Sequence, residues 1–199
     1  GVEKLEEEAF ERSQKDIHAL HYMIPTPPGA DTARAHEAAM ALYQKLLHSK
    51  DDAGAVAEIS EHIMPAKWAD LGYLTVFNIP YEYENVLYNT PVGKLSAPFK
   101  MPNGWHILKP IAERPAVGKW RIAQILFSVP DNAPDYVKIA IQQKADSVYH
   151  LIQNGMNFAL AAKAFSDDKT TYLAEGELPE FGTGKYSNDF MNPVMALQK

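Results

Sequence analysis

The sequence predicts a globular protein that mixes helices with strands, and three observations point to this class. Residues 20–24 and 103–109 are two short runs of strand-favouring residues, and each run carries one histidine. A glycine turn opens the second run. Between the runs, small and apolar residues recur at the spacing of one buried helical face, from Ala35 to Leu46. We therefore expect a helical frame that brings the two strands together.

Composition excludes several functional classes. The chain has 199 residues, 46% hydrophobic and 22% charged, which is typical of a soluble globular protein with one large or two small domains. Its net charge of −6 argues against a nucleic-acid surface, which needs clustered Lys and Arg. The absence of Cys excludes disulfides, thiolate catalysis and cysteine-based zinc sites, and it leaves the redox compartment open. No apolar run approaches the roughly 18 residues of a membrane span.

The chain begins with Gly1 and shows no signal peptide, so we interpret it as an expressed fragment. Residues 2–16 are highly charged with a sparse apolar stripe, which predicts a solvated connecting helix. A strand over 17–24 ends at the proline-rich residues 25–29, after which Asp31 or Thr32 caps the next helix. This half is completed by a short helix over 52–59, a loop ending at 70–73, a helix over 80–88 and strands over 96–100 and 103–111.

Residues 112–118 are predicted to be a linker, after which the pattern restarts. We expect a strand over 120–127, a polar loop over 130–134, and helices near 141–152, 158–165 and 189–197. Four pairs of residues correspond between the halves: Gln124 with His21, Ser166 with Ser60, Leu178 with Leu71 and Phe190 with Tyr83. Their offsets of 103 to 107 residues give a repeat of roughly 105 residues. Nothing equivalent to 103–109 follows in the second copy, so we expect it to lack its closing strands and to be less stable alone.

Several motifs in order resemble the parvulin family of peptidyl-prolyl isomerases, of the tandem PpiC/SurA type. They are His21-Tyr22-Met23-Ile24, Ser60-Glu61-His62, Asp70-Leu71-Gly72-Tyr73, residues 91–98, and Gly104-Trp105-His106-Ile107-Leu108. The resemblance implies an α+β fold, a four-stranded antiparallel sheet wrapped by about four helices, in two copies of which the second is incomplete. The implied organisation is a helix over 1–16, domains over 17–113 and 119–199, and a linker over 114–118.

The resemblance also implies the site residues of the first copy. His21 and His106 would face each other beneath an apolar proline pocket walled by Leu71, Ile79 and Tyr83, with Met101 near its floor. The position two residues after Ser60, usually Cys or Asp in the family, is His62 here.

In the second copy that position is Asp168, and Gln124 stands in place of the first histidine. Leu178, Tyr186 and Phe190 would form its pocket. Neither copy has all the site residues that are usual in the family.

The chemistry needs no covalent step and no cofactor. Rotation about an X–Pro bond costs about 18–20 kcal/mol because resonance gives the C–N bond double-bond character. An apolar pocket can weaken that resonance, and a nearby polar side chain can interact with the carbonyl as it turns. The resemblance therefore implies isomerisation of X–Pro bonds in unfolded or nascent exported polypeptides, in the periplasm or cell envelope.

Two rival hypotheses stay open at this point. The chain could be a chaperone that keeps the grooves but has lost catalysis, as His62 and Gln124 would allow. Alternatively, His21, His62 and His106 could form a three-imidazole zinc site, although no carboxylate can be assigned to support it. A preference for phosphopeptides is not expected, since residues 25–32 contain Asp31 and no Lys or Arg, and residues 130–135 carry Asp131 and Asp135.

Overall fold

The computed structural model describes residues 2–197. By their internal contacts these fall into two compact units, one drawn from residues 2–118 together with 183–197, the other comprising Lys119–Gly182. The domain boundaries inferred from the sequence stay a prediction, because compactness and family boundaries are different properties. Residues 183–197 nevertheless group with the first unit and not with the rest of the predicted second domain. Among the described residues, every helix is too short or too polar to cross a membrane.

The first unit is built on a four-stranded antiparallel sheet of order β2-β1-β4-β3. Its strands are β1 (Lys15–Pro25), β2 (Lys67–Leu74), β3 (Phe99–Met101) and β4 (Gly104–Pro115). Its first four helices are α1 (Val2–Ser13), α2 (Thr32–His48), α3 (Asp52–His62) and α4 (Tyr81–Asn89). The predicted α+β class, with a four-stranded antiparallel sheet among several helices, is confirmed.

The two faces of the sheet pack against different helices. Tyr22, Ile24 and Ile107 point to one face and form a buried cluster with α2 and α3. Ala19 and Leu108 point to the other face and pack with Leu87 of α4. Alternation of side chains along each strand separates these sets, so the two long central strands β1 and β4 are covered on both sides.

Helix α2 has the cap and the buried face that its sequence predicts. The Asp31 side chain accepts hydrogen bonds from the backbone N–H groups of Ala33 and Arg34, which caps the first turn. Its buried residues are the small and apolar ones at helical spacing: Ala35, Ala38, Ala39, Leu42 and Leu46.

Several predicted boundaries in the first unit were wrong. Residues 70–73 belong to strand β2 and not to a loop, because β2 pairs with β1 over most of its length. Helix α3 continues to His62 and does not end at Ile59, because no Gly or Pro stands between Ala55 and Met64. The strand expected at 96–100 spans only Phe99–Met101, and β4 continues to Pro115, where it pairs with Lys15, into residues predicted as linker.

The second unit contains β5 (Lys119–Trp120), α5 (Asp135–Gln153), α6 (Phe158–Phe165) and β6 (Phe181–Gly182), with a 3-10 turn at Tyr172–Ala174. The strand predicted over 120–127 was wrong in length. Only β5 pairs with β6, and a single bridge joins Ala123 to Glu177. In the first unit the corresponding strand is stabilised by pairing on both sides, and this segment has no such pair of neighbours among the described residues. The last helix, α7 (Asn188–Ala196), lies in the first unit.

Candidate active site

Two imidazoles meet on the face of the sheet that packs against α4. In the antiparallel register His21 lies opposite Leu108, and His106 lies opposite Met23, so the two histidines are diagonal neighbours on one face. Their rings are nearly parallel, at 7°, and His21 Nε2 lies 2.8 Å from His106 Nδ1. The structure therefore brings together two residues that are 85 positions apart in the chain.

The hydrogen bonds around His106 define its protonation. Asn103, at the turn that enters β4, places Oδ1 2.9 Å from His106 Nε2, and a carbonyl oxygen only accepts. His106 Nε2 therefore carries the proton, and its Nδ1 presents a lone pair. The Nε2–H of His21 donates to that lone pair.

Tyr83 of α4 is a second donor to the same nitrogen. Its hydroxyl hydrogen-bonds to His106 Nδ1. Its ring meets His106, His21 and Phe99 edge to face, with centroid distances of 5.0, 5.8 and 5.3 Å. Such contacts are favourable for aromatic rings and fix the ring in place.

Burial keeps both imidazoles neutral. His106 is 1% exposed, and desolvation together with the neighbouring His21 lowers its pKa to about 4. Desolvation also lowers the pKa of His21 and raises the pKa of the Tyr83 phenol to about 12. At neutral pH the cluster is therefore an uncharged hydrogen-bonded unit.

The residues predicted to form the first pocket are only partly brought together. Ile79 and Tyr83 pack with Phe99 in the apolar cluster under α4. Met101 is half-buried at the end of β3, opposite Gly104. Leu71 instead lines a cavity of about 500 Å³ with Tyr73, Arg114 and residues of α7.

His62 does not join the two histidines. It is the last residue of α3, its side chain is 63% exposed, and its nearest charged partner is Glu61 at 4.0 Å. No three His, Asp or Glu side chains within residues 2–197 are grouped in a way that could hold a metal ion. The three-imidazole zinc site is therefore not formed.

In the second unit, the Asp168 side chain is hydrogen-bonded to residues of its own loop. Its carboxylate accepts from the Thr170 amide at 2.9 Å, from the hydroxyls of Thr170 and Thr171 at 2.6 Å each, and from Gln124 Nε2 at 3.4 Å. These bonds, led by the one from the Thr170 hydroxyl, hold the pKa of the carboxyl well below its usual range. The carboxylate is a stable anion that organises a turn.

The other predicted site residues of the second copy lie in different units. Leu178 lies in the second unit, where its N–H donates to the carbonyl of Ile122. Phe190 lies in α7 of the first unit, with its ring 4.6 Å from that of Tyr186. Their grouping as one pocket stays a prediction.

Two residues of the histidine cluster, Asn103 and Phe99, were not predicted from the sequence. The Asn-Gly pair was recognised as a turn, and its position three residues before His106 was the available signal for the amide contact. Phe99 lies opposite His106 across β3 and β4, and that register could not be derived from composition.

A four-stranded antiparallel sheet with two hydrogen-bonded imidazoles beneath an aromatic residue of α4 fits a rotamase of the parvulin type. Residues 21–112 match the PPIC-type PPIASE domain described as Rotamase, and residues 107–199 match a second PPIC-type PPIASE domain, Rotamase_3. The chain belongs to the PPIC-type, or parvulin, family of peptidyl-prolyl isomerases, and it carries two such domains in tandem.

Several curated relatives share the name Chaperone SurA. The protein from Pseudomonas syringae pv. tomato is 26% identical over 173 residues, which cover 82% of this chain and 40% of that protein. The one from Chromohalobacter salexigens is 26% identical over 208 residues, covering 98% of this chain and 47% of that protein. The one from Legionella pneumophila strain Lens is 26% identical over 94% of this chain and 45% of that protein. The chain thus spans less than half the length of these relatives.

A crystal structure of peptidylprolyl isomerase PrsA from Bacillus anthracis is also similar. It is 21% identical, the match covers 70% of this chain and 54% of that chain, and the TM-score is 0.32. A score this low does not by itself show a shared overall fold.

Proposed function

We propose that the first unit catalyses cis–trans isomerisation of X–Pro bonds, with the His21–His106 pair at its site. The observation that carries this proposal is the 2.8 Å contact between the half-buried His21 and the buried His106, on the side of the sheet where Ile79, Tyr83 and Phe99 pack. An apolar surface with a few fixed polar groups suits a pyrrolidine ring joined to an amide.

The proposed mechanism rests on differential stabilisation of the twisted amide. The apolar surroundings disfavour the charge-separated resonance form, which lowers the barrier to rotation. A fixed donor can bind the carbonyl oxygen as it turns out of conjugation. Each tenfold gain in rate needs about 1.4 kcal/mol of such stabilisation. No bond is made or broken, so the histidines orient the site without transferring protons.

The proposed substrates are X–Pro bonds in unfolded or nascent polypeptides of the cell envelope or periplasm. The similarity to proteins named Chaperone SurA supports this class. We do not expect a preference for phosphorylated residues before proline, because the loop after β1 carries Asp31 and no basic side chain to neutralise a phosphate.

A protease-coupled assay on X–Pro tetrapeptides tests the proposal. The chain should accelerate the slow phase of cis–trans conversion in proportion to its concentration. Replacement of His106 by Leu should abolish most of this acceleration, and replacement of the exposed His150 of α5 by Ala should not. If the wild-type chain gives no acceleration, the proposed activity is wrong.

A second candidate function, polypeptide binding without catalysis, is favoured for the second domain copy by one observation. Gln124 replaces the first histidine, and the Asp168 carboxylate is already committed to Thr170, Thr171 and Gln124. Suppression of aggregation of a denatured client, measured by light scattering, tests this role. A His106→Leu chain should retain the suppression if binding is independent of isomerisation, and loss of both together would contradict it.

A further inference from the structure

The polar group expected beside the two histidines is not supplied by the residue that its motif predicts. His62 stands in the position where the family usually carries Cys or Asp, but its side chain is 63% exposed at the end of α3. The hydroxyl that does reach the imidazoles belongs to Tyr83, which the sequence motifs assigned only to the apolar wall of the pocket.

The Tyr83 hydroxyl shares its hydrogen-bond acceptor with a second donor. His106 Nδ1 has one lone pair, because its Nε2–H is committed to Asn103 Oδ1 at 2.9 Å. His21 Nε2–H already approaches that lone pair at 2.8 Å. Two donors therefore share one acceptor, and either of them can turn to a second acceptor at little cost, since the other keeps Nδ1 satisfied.

Of the two donors, Tyr83 is the one suited to leave. The rings of His21 and His106 are fixed on the sheet, with backbone pairing on both sides of β1 and β4. The Tyr83 hydroxyl needs only to rotate about its C–O bond while its ring keeps the edge-to-face contacts with Phe99 and His106. Burial raises the pKa of this phenol to about 12, so the hydroxyl stays protonated and remains a donor at every physiological pH.

We propose that the Tyr83 hydroxyl is the hydrogen-bond donor to the carbonyl oxygen of the residue preceding proline, in place of the polar side chain that His62 does not provide. This inference rests on the proposed isomerase function. In the resting state the hydroxyl donates to His106 Nδ1, and during rotation of the X–Pro bond it donates to the carbonyl while His21 retains His106. Asn103 contributes by holding the His106 tautomer that makes the exchange possible.

The matched test compares Tyr83→Phe with Tyr88→Phe. Both tyrosines lie on α4 and each loses one hydroxyl, but the Tyr88 hydroxyl donates to the backbone carbonyl of Lys15 at 2.9 Å. Tyr83→Phe should lower kcat/KM for X–Pro tetrapeptides about tenfold, as expected for one neutral donor, through kcat with little change in KM, because the aromatic wall remains. Tyr88→Phe should lower the melting temperature and leave kcat/KM unchanged.

A second measurement separates hydrogen-bond donation from packing and applies even if Tyr83→Phe is poorly folded. Incorporation of a fluorinated, more acidic tyrosine at position 83 keeps the ring and hydroxyl. The loss of activity at alkaline pH should then move to lower pH than in the wild type, whereas a structural hydroxyl would leave the profile in place.

The possible outcomes distinguish the two proposals. If the wild-type chain has no isomerase activity, the proposed function fails. If it is active and Tyr83→Phe keeps or exceeds its kcat, with an unmoved pH profile for the fluorinated variant, the donor role of Tyr83 is overturned and the isomerase function stands.

Discussion

Arg12 and Glu84 form an ion pair that is almost completely buried. Arg12 Nη1 donates to Glu84 Oε1 at 2.9 Å, and the two side chains are 7% and 6% exposed. Arg12 also donates to Asn85 Oδ1 at 2.7 Å, and the second oxygen of Glu84 accepts from the Phe77 amide at 3.3 Å. The pair fixes α1 to α4, the helix that carries Tyr83.

Removal of one member of this pair should be strongly destabilising. In Glu84→Gln the Arg12 guanidinium loses its buried counter-charge and keeps only the partly exposed Glu8 of its own helix, so we expect a cost of about 3 kcal/mol. Urea unfolding followed by tryptophan fluorescence measures the change in the free energy of unfolding. Arg12→Met combined with Glu84→Leu should recover much of the loss, because the only charge left without its partner, Glu8, is partly exposed to water.

The control for this experiment is an exposed pair. Lys15 and Glu113 lie 3.0 Å apart with 39% and 51% of their side chains exposed. Glu113→Gln should cost less than about 1 kcal/mol. Equal losses from Glu84→Gln and Glu113→Gln would contradict the structural role of the buried pair.

Acid should destabilise the first unit through its two histidines. Folding lowers the pKa of His21, and lowers that of His106 to about 4 from an ordinary value of 6.5. Between these pKa values the unfolded chain binds more protons than the folded chain. The stability that the two neutral histidines contribute is therefore fully present above pH 6.5 and is lost as the pH falls toward 4. For His106 alone the loss is on the order of 3 kcal/mol.

Thermal unfolding between pH 4 and 8 measures this dependence. The variant His106→Leu should flatten the curve, and His62→Ala, which removes an exposed imidazole, should leave its slope unchanged. A free energy of unfolding that is constant from pH 8 to pH 4.5 would be incompatible with two imidazoles that folding keeps neutral.

Gly104 should tolerate no side chain. Its φ is 153°, and an added Cβ would lie 2.3 Å from the backbone carbonyl oxygen of Ile24. Because β1 and β4 pair there, Gly104→Ala must push apart the strands that carry His21 and His106, at a cost of about 2 kcal/mol or more.

Gly93 is the matched control for Gly104. It also has a positive φ, of 84°, but nothing lies within 4 Å of the position that an added methyl group would occupy. Gly93→Ala should therefore cost only about 1 kcal/mol of backbone strain. Chemical denaturation gives the free energy of unfolding of both variants. Equal stability of Gly104→Ala and Gly93→Ala would show that β1 and β4 leave room for a methyl group at position 104.

Asp168 should keep its loop ordered. Since its carboxylate accepts from the Thr170 amide, Asp168→Ala should accelerate hydrogen exchange of that amide at least tenfold, as expected when a protecting bond is lost. Asp146→Ala on α5, whose partner is Gln142, is the control and should leave Thr170 unchanged. Unaltered exchange in Asp168→Ala would mean that the turn is held by other contacts.

The sequence was most informative where a local rule sufficed. Capping by Asp31, the apolar face of α2 and the Gly104 turn each depend on residues close in the chain, and the structure has all three. The juxtaposition of His21 and His106 was expected from the family motifs, whereas their diagonal geometry depends on the register of β1 and β4, which no local pattern determines.

The sequence was misleading where tertiary contacts overrode composition. The charged first helix was expected to be fully solvated, yet Arg12 is buried against Glu84 of a helix 72 residues away. Residues 70–73 contain a glycine and were assigned to a loop, but pairing with β1 makes them part of a strand. His62 follows the motif in sequence, but it ends α3, a helix that packs on the face of the sheet opposite to the two histidines.

The most direct test of the histidine site is exchange NMR with an X–Pro tetrapeptide and the isotope-labelled chain. Cis–trans exchange of the peptide should become fast on the NMR timescale, and the shift perturbations should cluster on His21, Tyr83, Phe99 and His106. Accelerated exchange with perturbations confined to Lys119–Gly182, or no acceleration at all, would contradict the assignment of catalysis to the paired imidazoles.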